Sequence, residues 1–334
     1  SYGEGGDDLF DEGAQGDIFP GQLGVINIDD GGPGNDTISF AGLSNGNISS
    51  AGITVSLALT TGQAINMGPM KDFGTFTILN IENAIGTQNN DTITGSDVAN
   101  VLDGYGGADT LYGLAGDDRL IGGAGADALD GGADIDTADY SASSSAVTVS
   151  LATGTGLGGD AQGDTLAGIE NLTGSGFDDT LTGDAGVNVI SGGLGNDTVY
   201  GGDGADKLNG GFGADVINAG DGNDVVNYGV DDGCDAVDGG AGTDTFSVSG
   251  SAADSILSAS FDGTRLTQVI DALESCRVVQ VFAGGVEITD ATFAARATIP
   301  PVARHSVKAP RVAPHPFRTG GNRVETPVIG IVPG

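Results

Sequence analysis

The chain has 334 residues, of which 62 are Gly, 46 are Asp or Glu and only 11 are Lys or Arg, so its formal net charge is −35. With 5% aromatic residues and no Trp, little large apolar surface opposes this self-repulsion, and we expect a cationic partner to complete the fold. Nucleic acid is disfavoured as a partner because phosphate binding needs clustered Lys and Arg. Membrane insertion is disfavoured because the sequence has no run of about 18 apolar residues.

The N-terminal part contains two glycine-rich nonapeptides, GEGGDDLFD at 3–11 and GGPGNDTIS at 31–39. Each copy stands alone, so two interpretations of Asp36 remain open. It binds a cation, or it is the solvated carboxylate of an ordinary β-turn. The segment ITVSLAL at 53–59 follows, and we interpret it as extended β structure.

Six consecutive nonapeptides then fill residues 86–139, reading GTQNNDTIT, GSDVANVLD, GYGGADTLY, GLAGDDRLI, GGAGADALD and GGADIDTAD. They follow the pattern G-G-x-G-x-D-x-U-x, in which U is a large apolar residue. A fixed period of nine over this length indicates a repeat architecture rather than a chance run of turns.

A longer repeat is superimposed on the nonapeptides. The segment VTVSLAT at 147–153 resembles the ITVSLAL segment, and the tripeptide IEN occurs at 81–83 and again at 169–171. The offset between the two tripeptides is 88 residues, which equals the offset from Asp91 to Asp179. The larger unit is therefore extended β structure followed by a glycine-rich array.

The second array runs from Gly192 to Asn227 as GGLGNDTVY, GGDGADKLN, GGFGADVIN and AGDGNDVVN, with a single copy at 239–247. Residues 296–334 hold six of the 11 basic residues and seven of the ten prolines, which predicts a disordered tail. The predicted domains are degenerate repeats at 1–40, an interleaved β module at 41–85, a first roll at 86–139, a second interleaved module at 140–173, a second roll at 174–250, a degenerate β module at 251–294 and the tail at 295–334.

Each nonapeptide is predicted to consist of a six-residue turn and a three-residue strand. Glycine at positions 1, 2 and 4 permits positive φ, whereas positions 7 to 9 are rich in Thr, Val, Ile and Leu. Only position 8 is reliably apolar, which predicts one buried column. In the first array this column is Ile93, Leu102, Leu111, Leu120 and Leu129. If two nonapeptides complete one coil, residues 18 apart stack at roughly 4.8 Å.

Such stacking places the position-6 carboxylates above one another, so that Asp109 lies over Asp91 and Asp127 lies over Asp109. Stacked carboxylates repel, and the turn carbonyls beside them lack partners, so an oxygen-seeking divalent cation would satisfy both groups. Ca²⁺ suits an irregular cage of carboxylates and carbonyls better than Mg²⁺, which demands near-octahedral geometry. We therefore predict that the arrays bind multiple Ca²⁺ ions.

The same spacing predicts which sites contain two carboxylates. They are Asp91/Asp109, Asp109/Asp127, Asp118/Asp136, Asp179/Asp197, Asp197/Asp215 and Asp206/Asp224. Asn100 and Asn188 replace Asp at position 6 and should bind more weakly, because a charge is lost. Glu82 and Glu170 are open to two interpretations, as ligands or as strand caps, and the favoured one is a solvated glutamate that closes a strand edge.

These residues resemble the RTX, or haemolysin-type calcium-binding, repeat family over roughly residues 3–250. The resemblance implies an all-β fold, a parallel β-roll or β-helix solenoid with interleaved β segments. It implies calcium ligands at position 6 and from turn carbonyls. The position-6 residues that match are Asp109, Asp118, Asp127, Asp136, Asp197, Asp206, Asp215 and Asp224, and the carbonyls are those of Gly193, Gly195 and Gly210. The repeats of Asp36, Asp91, Asp179, Asp235 and Asp244 match less completely, and Asn100 and Asn188 are the predicted weaker ligands at position 6. It further implies a bacterial protein that is exported by type I secretion and folds on extracellular Ca²⁺.

Two motifs that are typical of enzymes are interpreted as chance matches. Residues 42–46 fit the nucleophile elbow G-x-S-x-G around Ser44, but no helical periodicity follows, and the only histidines, His305 and His315, lie in the tail. Residues 154–159 fit G-x-G-x-x-G, but the sequence after them does not predict the helix that pyrophosphate binding requires. The zinc signature H-E-x-x-H is absent, and we predict a protein without catalytic activity.

Three classes of function remain. The favoured class is a non-enzymatic extracellular or cell-surface protein, structural or adhesive, that Ca²⁺ folds into a rigid rod and whose target is a cell, a polysaccharide or another copy of itself. The second is a calcium-dependent secretion or stabilising domain of a larger exported enzyme of protease, lipase or epimerase type. The third is a hydrolase that uses Ser44. Cys234 and Cys276 match no metal motif, and whether they pair stays open.

Overall fold

The computed structural model describes residues 5–11, 27–41, 52–58, 76–229, 232–233, 235–249, 258–261, 266–270 and 280–284. All of them lie in the first of two compact units, which spans residues 1–295. The described residues form strands and turns with a single 3-10 helix, which confirms the all-β class. None of these described elements is a helix long and apolar enough to cross a membrane. The Ser44 motif, both cysteines and the predicted tail lie outside the described residues.

Short strands recur at the spacing of the repeats, because each glycine-rich turn ends where the β-branched and leucine residues begin. Up to the end of the first array the strands are β1 (Leu9–Asp11), β2 (Asn27–Asp30), β3 (Thr37–Ser39), β4 (Thr54–Ser56), β5 (Phe76–Leu79), β6 (Asn83–Ile85), β7 (Thr92–Thr94), β8 (Val101–Asp103), β9 (Thr110–Ala115), β10 (Arg119–Ile121), β11 (Ala128–Ala133) and β12 (Thr137–Asp139).

The remaining strands continue this series through the second array. They are β13 (Thr148–Ser150), β14 (Thr155–Leu157), β15 (Thr165–Ala167), β16 (Asn171–Thr173), β17 (Thr180–Thr182), β18 (Val189–Leu194), β19 (Thr198–Asp203), β20 (Lys207–Phe212), β21 (Val216–Asp221), β22 (Val225–Gly229), β23 (Ala236–Ala241), β24 (Thr245–Ser249), β25 (Ser258–Phe261), β26 (Leu266–Ile270) and β27 (Gln280–Gly284). The 3-10 helix, Gly159–Ala161, lies between β14 and β15.

Alternate strands belong to two long sheets, as expected when two nonapeptides complete one coil. An 11-stranded sheet has the order β1-β3-β6-β8-β10-β12-β16-β18-β20-β22-β24. A 12-stranded sheet has the order β27-β23-β21-β19-β17-β13-β14-β15-β11-β9-β7-β4. Apart from the two contacts of β14, the pairings within both sheets are parallel. Two further pairs, β2 with β5 and β25 with β26, stand apart from them.

The strand register shows the 18-residue coil that the period predicts. Leu102 of β8 lies opposite Leu120 of β10, and Leu111 of β9 lies opposite Leu129 of β11. All four leucines are at most 2% exposed. The predicted position-8 column is therefore the core of the solenoid, and the second array continues it with Leu181, Ile190, Val199, Leu208, Ile217 and Val226.

The interleaved module at 140–173 does not interrupt the solenoid. Strand β12 pairs directly with β16, so Ala138 lies opposite Leu172 and the 11-stranded sheet continues into the second array. In the other sheet, β14 lies antiparallel to both β13 and β15. The G-x-G-x-x-G motif at 154–159 covers β14 and is followed by the three-residue 3-10 helix, not by the long helix that dinucleotide binding requires.

Candidate metal centre

The position-6 side chains form a buried carboxylate ladder along each sheet, next to the turns. In most repeats, one carboxylate oxygen accepts a hydrogen bond from the backbone N–H of the position-6 residue one coil earlier. The N–H of Asp91 donates to Asp109 Oδ1 at 2.7 Å, and the N–H of Asp109 donates to Asp127 Oδ1 at 2.8 Å. The same 18-residue contact joins Asp118 to Asp136, Asp179 to Asp197, Asp197 to Asp215 and Asp206 to Asp224. All six predicted pairs are therefore neighbours in space.

The second oxygen of most of these carboxylates has no hydrogen-bond partner, although it is buried. The half-buried Asp8 has one such Oδ2 atom, and nine more fully buried residues have the others: Asp36, Asp109, Asp118, Asp127, Asp136, Asp197, Asp206, Asp215 and Asp224. Each of the nine residues is at most 2% exposed. A buried charged oxygen without a donor is expensive, so these nine atoms need a partner that the protein itself does not supply.

Backbone carbonyls lie beside the unpaired oxygens. A Cβ added to Gly192 would overlap both Asp197 Oδ2 and the carbonyl oxygen of Gly210, one coil further on. Gly104 and Gly113 have equivalent surroundings, made of the Oδ2 of their own repeat and a carbonyl of the next coil. Position 1 is glycine in these three repeats because these oxygens occupy the space that a side chain would take. The predicted carbonyl of Gly210 is therefore next to the predicted carboxylate of Asp197.

The carbonyls of Gly193 and Gly195 point along the solenoid toward the next coil. A Cβ on Gly211 would overlap the Gly193 carbonyl, and a Cβ on Gly213 would overlap the Gly195 carbonyl. In the equivalent turn one half-coil away, the Gly204 carbonyl and Asp224 Oδ1 both lie next to Gly222. Carbonyl oxygens therefore line the turns at positions 2 and 4 as well as at position 1.

Burial and mutual repulsion raise the pKa of these carboxyl groups. The pKa of Asp109 is raised to about 8, chiefly by burial and further by the charges of Asp91 and Asp127. The pKa values of Asp197 and Asp215 are raised to about 7 for the same reasons, burial first and neighbouring aspartates second. An ionised form at neutral pH therefore needs a compensating positive charge.

The donor set fits Ca²⁺. Carboxylate and carbonyl oxygens are the ligands that this hard cation takes, in flexible geometry, and a divalent cation would neutralise the stacked charges. Among the described residues, three or more His, Cys, Asp or Glu side chains never converge on one point, so each ion would need carbonyl ligands as well. When bound, Ca²⁺ supplies positive charge and coordination that tie neighbouring coils together.

The ladder tolerates a two-residue insertion between the repeats of Asp224 and Asp235. The N–H of Asp215 donates to Asp235 Oδ1 at 3.0 Å, and the N–H of Asp224 donates to Asp244 Oδ1 at 3.2 Å, each over 20 residues. Both predicted residues thus lie in the ladder, although Asp244 is only half-buried.

Asp36 also lies in the ladder and is fully buried, not a solvated turn residue. Its Oδ1 accepts the N–H of Asp8 at 2.8 Å, which places Asp8 of the first nonapeptide one step before it. The predictions named Asp36 but missed Asp8, because the sequence separation of 28 residues differs from the regular 18.

The favoured interpretation of Glu82 and Glu170 is wrong. Neither is a solvated residue at a strand edge. Glu82 Oε2 accepts the N–H of Asp36 at 2.8 Å, and Glu170 Oε2 accepts the N–H of Asp136 at 2.9 Å. Both glutamates are half-buried and occupy the place of a position-6 aspartate, because the longer side chain reaches the ladder from the IEN tripeptide.

Asp164 is a ladder residue that the sequence analysis missed. Its Oδ1 accepts the N–H of Asp127 at 2.8 Å, and its Oδ2 accepts the hydroxyl of Tyr140 at 3.0 Å. Burial raises its pKa to about 6. The spacing from Asp127 is 37 residues, so the nonapeptide period could not have indicated it, although GDTL at 163–166 resembles the G-x-D-x-U core of the repeat.

Comparison with known proteins identifies the repeats. The RTX calcium-binding nonapeptide repeat family matches this chain in four copies, at residues 85–120, 103–138, 164–199 and 200–233. The matched stretches contain both arrays and most of the aspartates whose Oδ2 atom has no partner. The third copy begins at Asp164, the ladder residue in the interleaved module.

A second likeness is short. The chain is 58% identical over 66 residues to an adenine deaminase of Cereibacter sphaeroides strain KD131. It is 47% identical over 66 residues to adenine deaminases of Sinorhizobium fredii and Brucella abortus strain 2308. The match covers 20% of this chain and 12% of the Cereibacter protein, so the chain spans about an eighth of the length of these relatives.

The family match and the geometry agree. The matched residues carry the nonapeptide pattern, the parallel coils and the ladder of buried carboxylates, and RTX nonapeptide repeats bind multiple Ca²⁺ ions. Residues 85–138 and 164–233 of this chain are RTX calcium-binding nonapeptide repeats.

Proposed function

We propose that this chain is a secreted or surface-exposed structural protein, and that extracellular Ca²⁺ switches it from an unfolded acidic chain into a solenoid. The observation that carries the proposal is the set of nine buried Oδ2 atoms without a partner. With a net charge of −35 and a core of single aliphatic columns, the solenoid depends on the cation for much of its stability.

The proposed ligands are the position-6 carboxylates that have an unpaired Oδ2, together with turn carbonyls. Their arrangement along two continuous sheets supports a structural role, since each ion would join successive coils. An adhesive role with a cell, a polysaccharide or another copy as the target rests on the family resemblance. Export by type I secretion and an extracellular location rest on the same resemblance.

Limited proteolysis at controlled free Ca²⁺ tests the proposal. Extracellular calcium modules bind with dissociation constants of about 10⁻⁴ to 10⁻³ M, so we expect rapid digestion at micromolar Ca²⁺ and protection of the array fragments at millimolar Ca²⁺. Equal millimolar Mg²⁺ is the control and should not protect. Arrays that resist protease at submicromolar Ca²⁺ would contradict a switch driven by the extracellular ion.

The likeness to adenine deaminases favours a second candidate function. In that case the repeats would stabilise an enzyme of which this chain carries a part. Release of ammonia from adenine by the purified chain tests it. We expect none, since the likeness spans only 12% of the Cereibacter relative, and ammonia release at a rate proportional to protein concentration would favour the second candidate.

A further inference from the structure

Not every position-6 side chain has a free oxygen. Asp91 Oδ2 accepts the N–H of Thr87 at 2.5 Å. Asp91 Oδ1 accepts the Thr87 hydroxyl at 3.0 Å and the N–H of Ile53 at 2.6 Å. In the second roll, residues 174–250, Asp179 makes the same three contacts with the N–H and hydroxyl of Ser175 and the N–H of Val147. Both oxygens of both aspartates therefore have protein donors.

In the next repeat of each roll, the protein also satisfies both polar atoms of the position-6 side chain, and we call such repeats closed. Asn100 Oδ1 accepts the N–H of Ser96 at 2.6 Å, and its Nδ2 donates to the carbonyl of Glu82 at 2.6 Å. Asn188 makes the corresponding bonds with the N–H of Asp184 and the carbonyl of Glu170. The amide nitrogen occupies the place of the second oxygen, and an N–H₂ group does not ligate a cation.

Position 2 of the nonapeptide separates the two kinds of repeat. In the closed repeats, position 2 donates its N–H to the position-6 side chain of the same repeat, and it is Thr87, Ser96, Ser175 or Asp184. None of these four residues has a positive φ. In the repeats of the nine unpaired Oδ2 atoms, position 2 has a positive φ, and it is Gly32, Tyr105, Leu114, Gly123, Gly132, Gly193, Gly202, Gly211 or Gly220.

The backbone at position 2 explains why the oxygen stays free in the second kind. Gly193 lies opposite Gly211 in the ladder between β18 and β20, and Gly202 lies opposite Gly220 between β19 and β21. The strands β18 to β21 are six residues long because they run through position 2 of the following repeat. The strands before the four closed repeats, β6, β7, β16 and β17, have three residues. Strands β8 and β10, which precede the repeats of Asp109 and Asp127, also have three residues. The positive φ of position 2, and not the strand length, therefore distinguishes the two kinds of repeat.

We propose that position 2 decides which repeats take calcium, so that the first two repeats of each roll, residues 86–103 and 174–191, are metal-free caps closed by hydrogen bonds. Their position-6 residues are Asp91, Asn100, Asp179 and Asn188. The inference rests on the proposed calcium binding of the other repeats. It removes four residues from the predicted ligand set. Each series of calcium-binding repeats then begins beside a repeat whose position-6 side chain is fully hydrogen-bonded without metal.

Asp164 ends the series of proposed calcium-binding repeats in the first array, because the protein supplies donors to both of its oxygens. Its Oδ1 continues the ladder from Asp127, and its Oδ2 is satisfied by the Tyr140 hydroxyl. In the other sheet, the Glu170 carboxylate accepts a hydrogen bond from the N–H of Asp136, which is the last proposed calcium ligand of the first array. The calcium repeats of the first array are therefore bounded in one sheet by Asp164, whose two carboxylate oxygens the protein itself satisfies, and in the other by Glu170.

The test counts the Ca²⁺ ions bound per full-length chain at saturation, by equilibrium dialysis, in matched pairs of variants. Asp179→Asn and Asp197→Asn change neighbouring residues of one ladder, 18 residues apart. We expect Asp179→Asn to bind as many ions as the wild type, and Asp197→Asn to lose at least one. Asp91→Asn and Asp109→Asn repeat the comparison in the first array, and circular dichroism confirms folding of each variant.

The position-2 rule is tested directly by Gly193→Ser, which gives the Asp197 repeat the position-2 residue of the Asp179 repeat. Serine disfavours the φ of 112° at Gly193, so we expect loss of at least one ion. Gly176→Ser is the control, because Gly176 is exposed and has no positive φ.

Two results would overturn the inference while leaving calcium binding intact. One is that Asp179→Asn and Asp91→Asn, both folded, lose as many ions as Asp197→Asn and Asp109→Asn. The other is that folded Gly193→Ser retains every ion. A wild-type chain that binds no Ca²⁺ would instead refute the proposed function, and the inference with it.

Discussion

Each ladder carboxylate has two oxygens in different surroundings. Oδ1 is tied to the backbone of the preceding coil, as in the contact from the Asp197 N–H to Asp215 Oδ1 at 2.8 Å. Oδ2 is buried without a donor in Asp8 and in nine ladder residues that are at most 2% exposed. The first oxygen defines the geometry of the turn, and the second makes that geometry costly unless a cation or a proton is present.

This cost predicts the pH dependence of the metal-free protein. The pKa of Asp109 is raised to about 8 and that of Asp118 to about 7, in both cases mainly by burial. An unfolded Asp has a pKa near 3.9, so the folded chain holds more protons between about pH 4 and 8. Stability is then fully present below the unfolded pKa and is lost as the pH rises through the folded values.

We therefore expect chelated protein to be unfolded at pH 8 and to gain β signal in far-UV circular dichroism as the pH falls toward 5. Ca²⁺-saturated protein is the control and should change in the opposite direction, because protonation displaces the ion. A chelated protein whose β content falls steadily from pH 8 to pH 5 would show that the carboxylates are not buried as described.

Close approach of neighbouring coils at position 2 gives a prediction for one glycine. Gly202 has a φ of 115°, and a Cβ there would overlap the carbonyl of Asp184. We expect Gly202→Ala to lower the free energy of unfolding in saturating Ca²⁺ by about 1–3 kcal/mol. Gly186→Ala should change it little, since Gly186 is exposed and has no positive φ. Urea unfolding measures both, and equal effects would be evidence against the described turn.

At the scale of elements, much of the arrays could be predicted from the sequence. The nine-residue period predicts strands such as β7 and β8, their parallel pairing and the 18-residue register, because every repeat presents its apolar residue at position 8 to the same core. The ladder neighbours follow from the same register. A fixed period is sufficient here because each coil contacts mainly its neighbours.

The interleaved module could not be predicted in this way. Strand β14 lies antiparallel between β13 and β15, and Asp164 enters the ladder 37 residues after Asp127. No period leads to either feature. The hydrogen bonds that close Asp91 were also not predicted, although its repeat matches the family less completely than that of Asp109. They depend on whether the backbone at Thr87 or Tyr105 turns its N–H toward the carboxylate, and the shared position-6 aspartate does not reveal this.

The buried column gives a prediction at this scale. Leu208 is 0% exposed in the core, whereas Leu194 is 54% exposed at position 3 of a turn. We expect Leu208→Ala to lower the free energy of unfolding by about 2–5 kcal/mol, and Leu194→Ala to change it by less than about 0.5 kcal/mol. Both are measured by urea unfolding at one saturating Ca²⁺ concentration, since bound ligand itself adds stability. Similar losses would contradict a single-column core.

At the scale of the whole molecule, the 11-stranded sheet runs from β1 and β3 of the N-terminal nonapeptides through both arrays, and the 12-stranded sheet runs from β4 through both arrays. The interleaved segments therefore belong to the same solenoid as the repeats, and the ladder passes through them at Glu82, Asp164 and Glu170. Because stability in such a solenoid is a sum over coils and their interfaces, ions bound between some coils stabilise their neighbours. Because the net charge of −35 makes the chain repel itself, bound cations favour folding along the whole solenoid.

The most direct test of the account is a Ca²⁺ titration of chelated protein at pH 7.5, followed by far-UV circular dichroism, with Mg²⁺ as the control. We expect a disordered spectrum that changes cooperatively to a β spectrum with Ca²⁺ and not with equal Mg²⁺, because metal binding supplies the folding free energy. A β spectrum that is already complete in chelator and unchanged by Ca²⁺ would contradict the account, since the nine unpaired carboxylates would then need no cation.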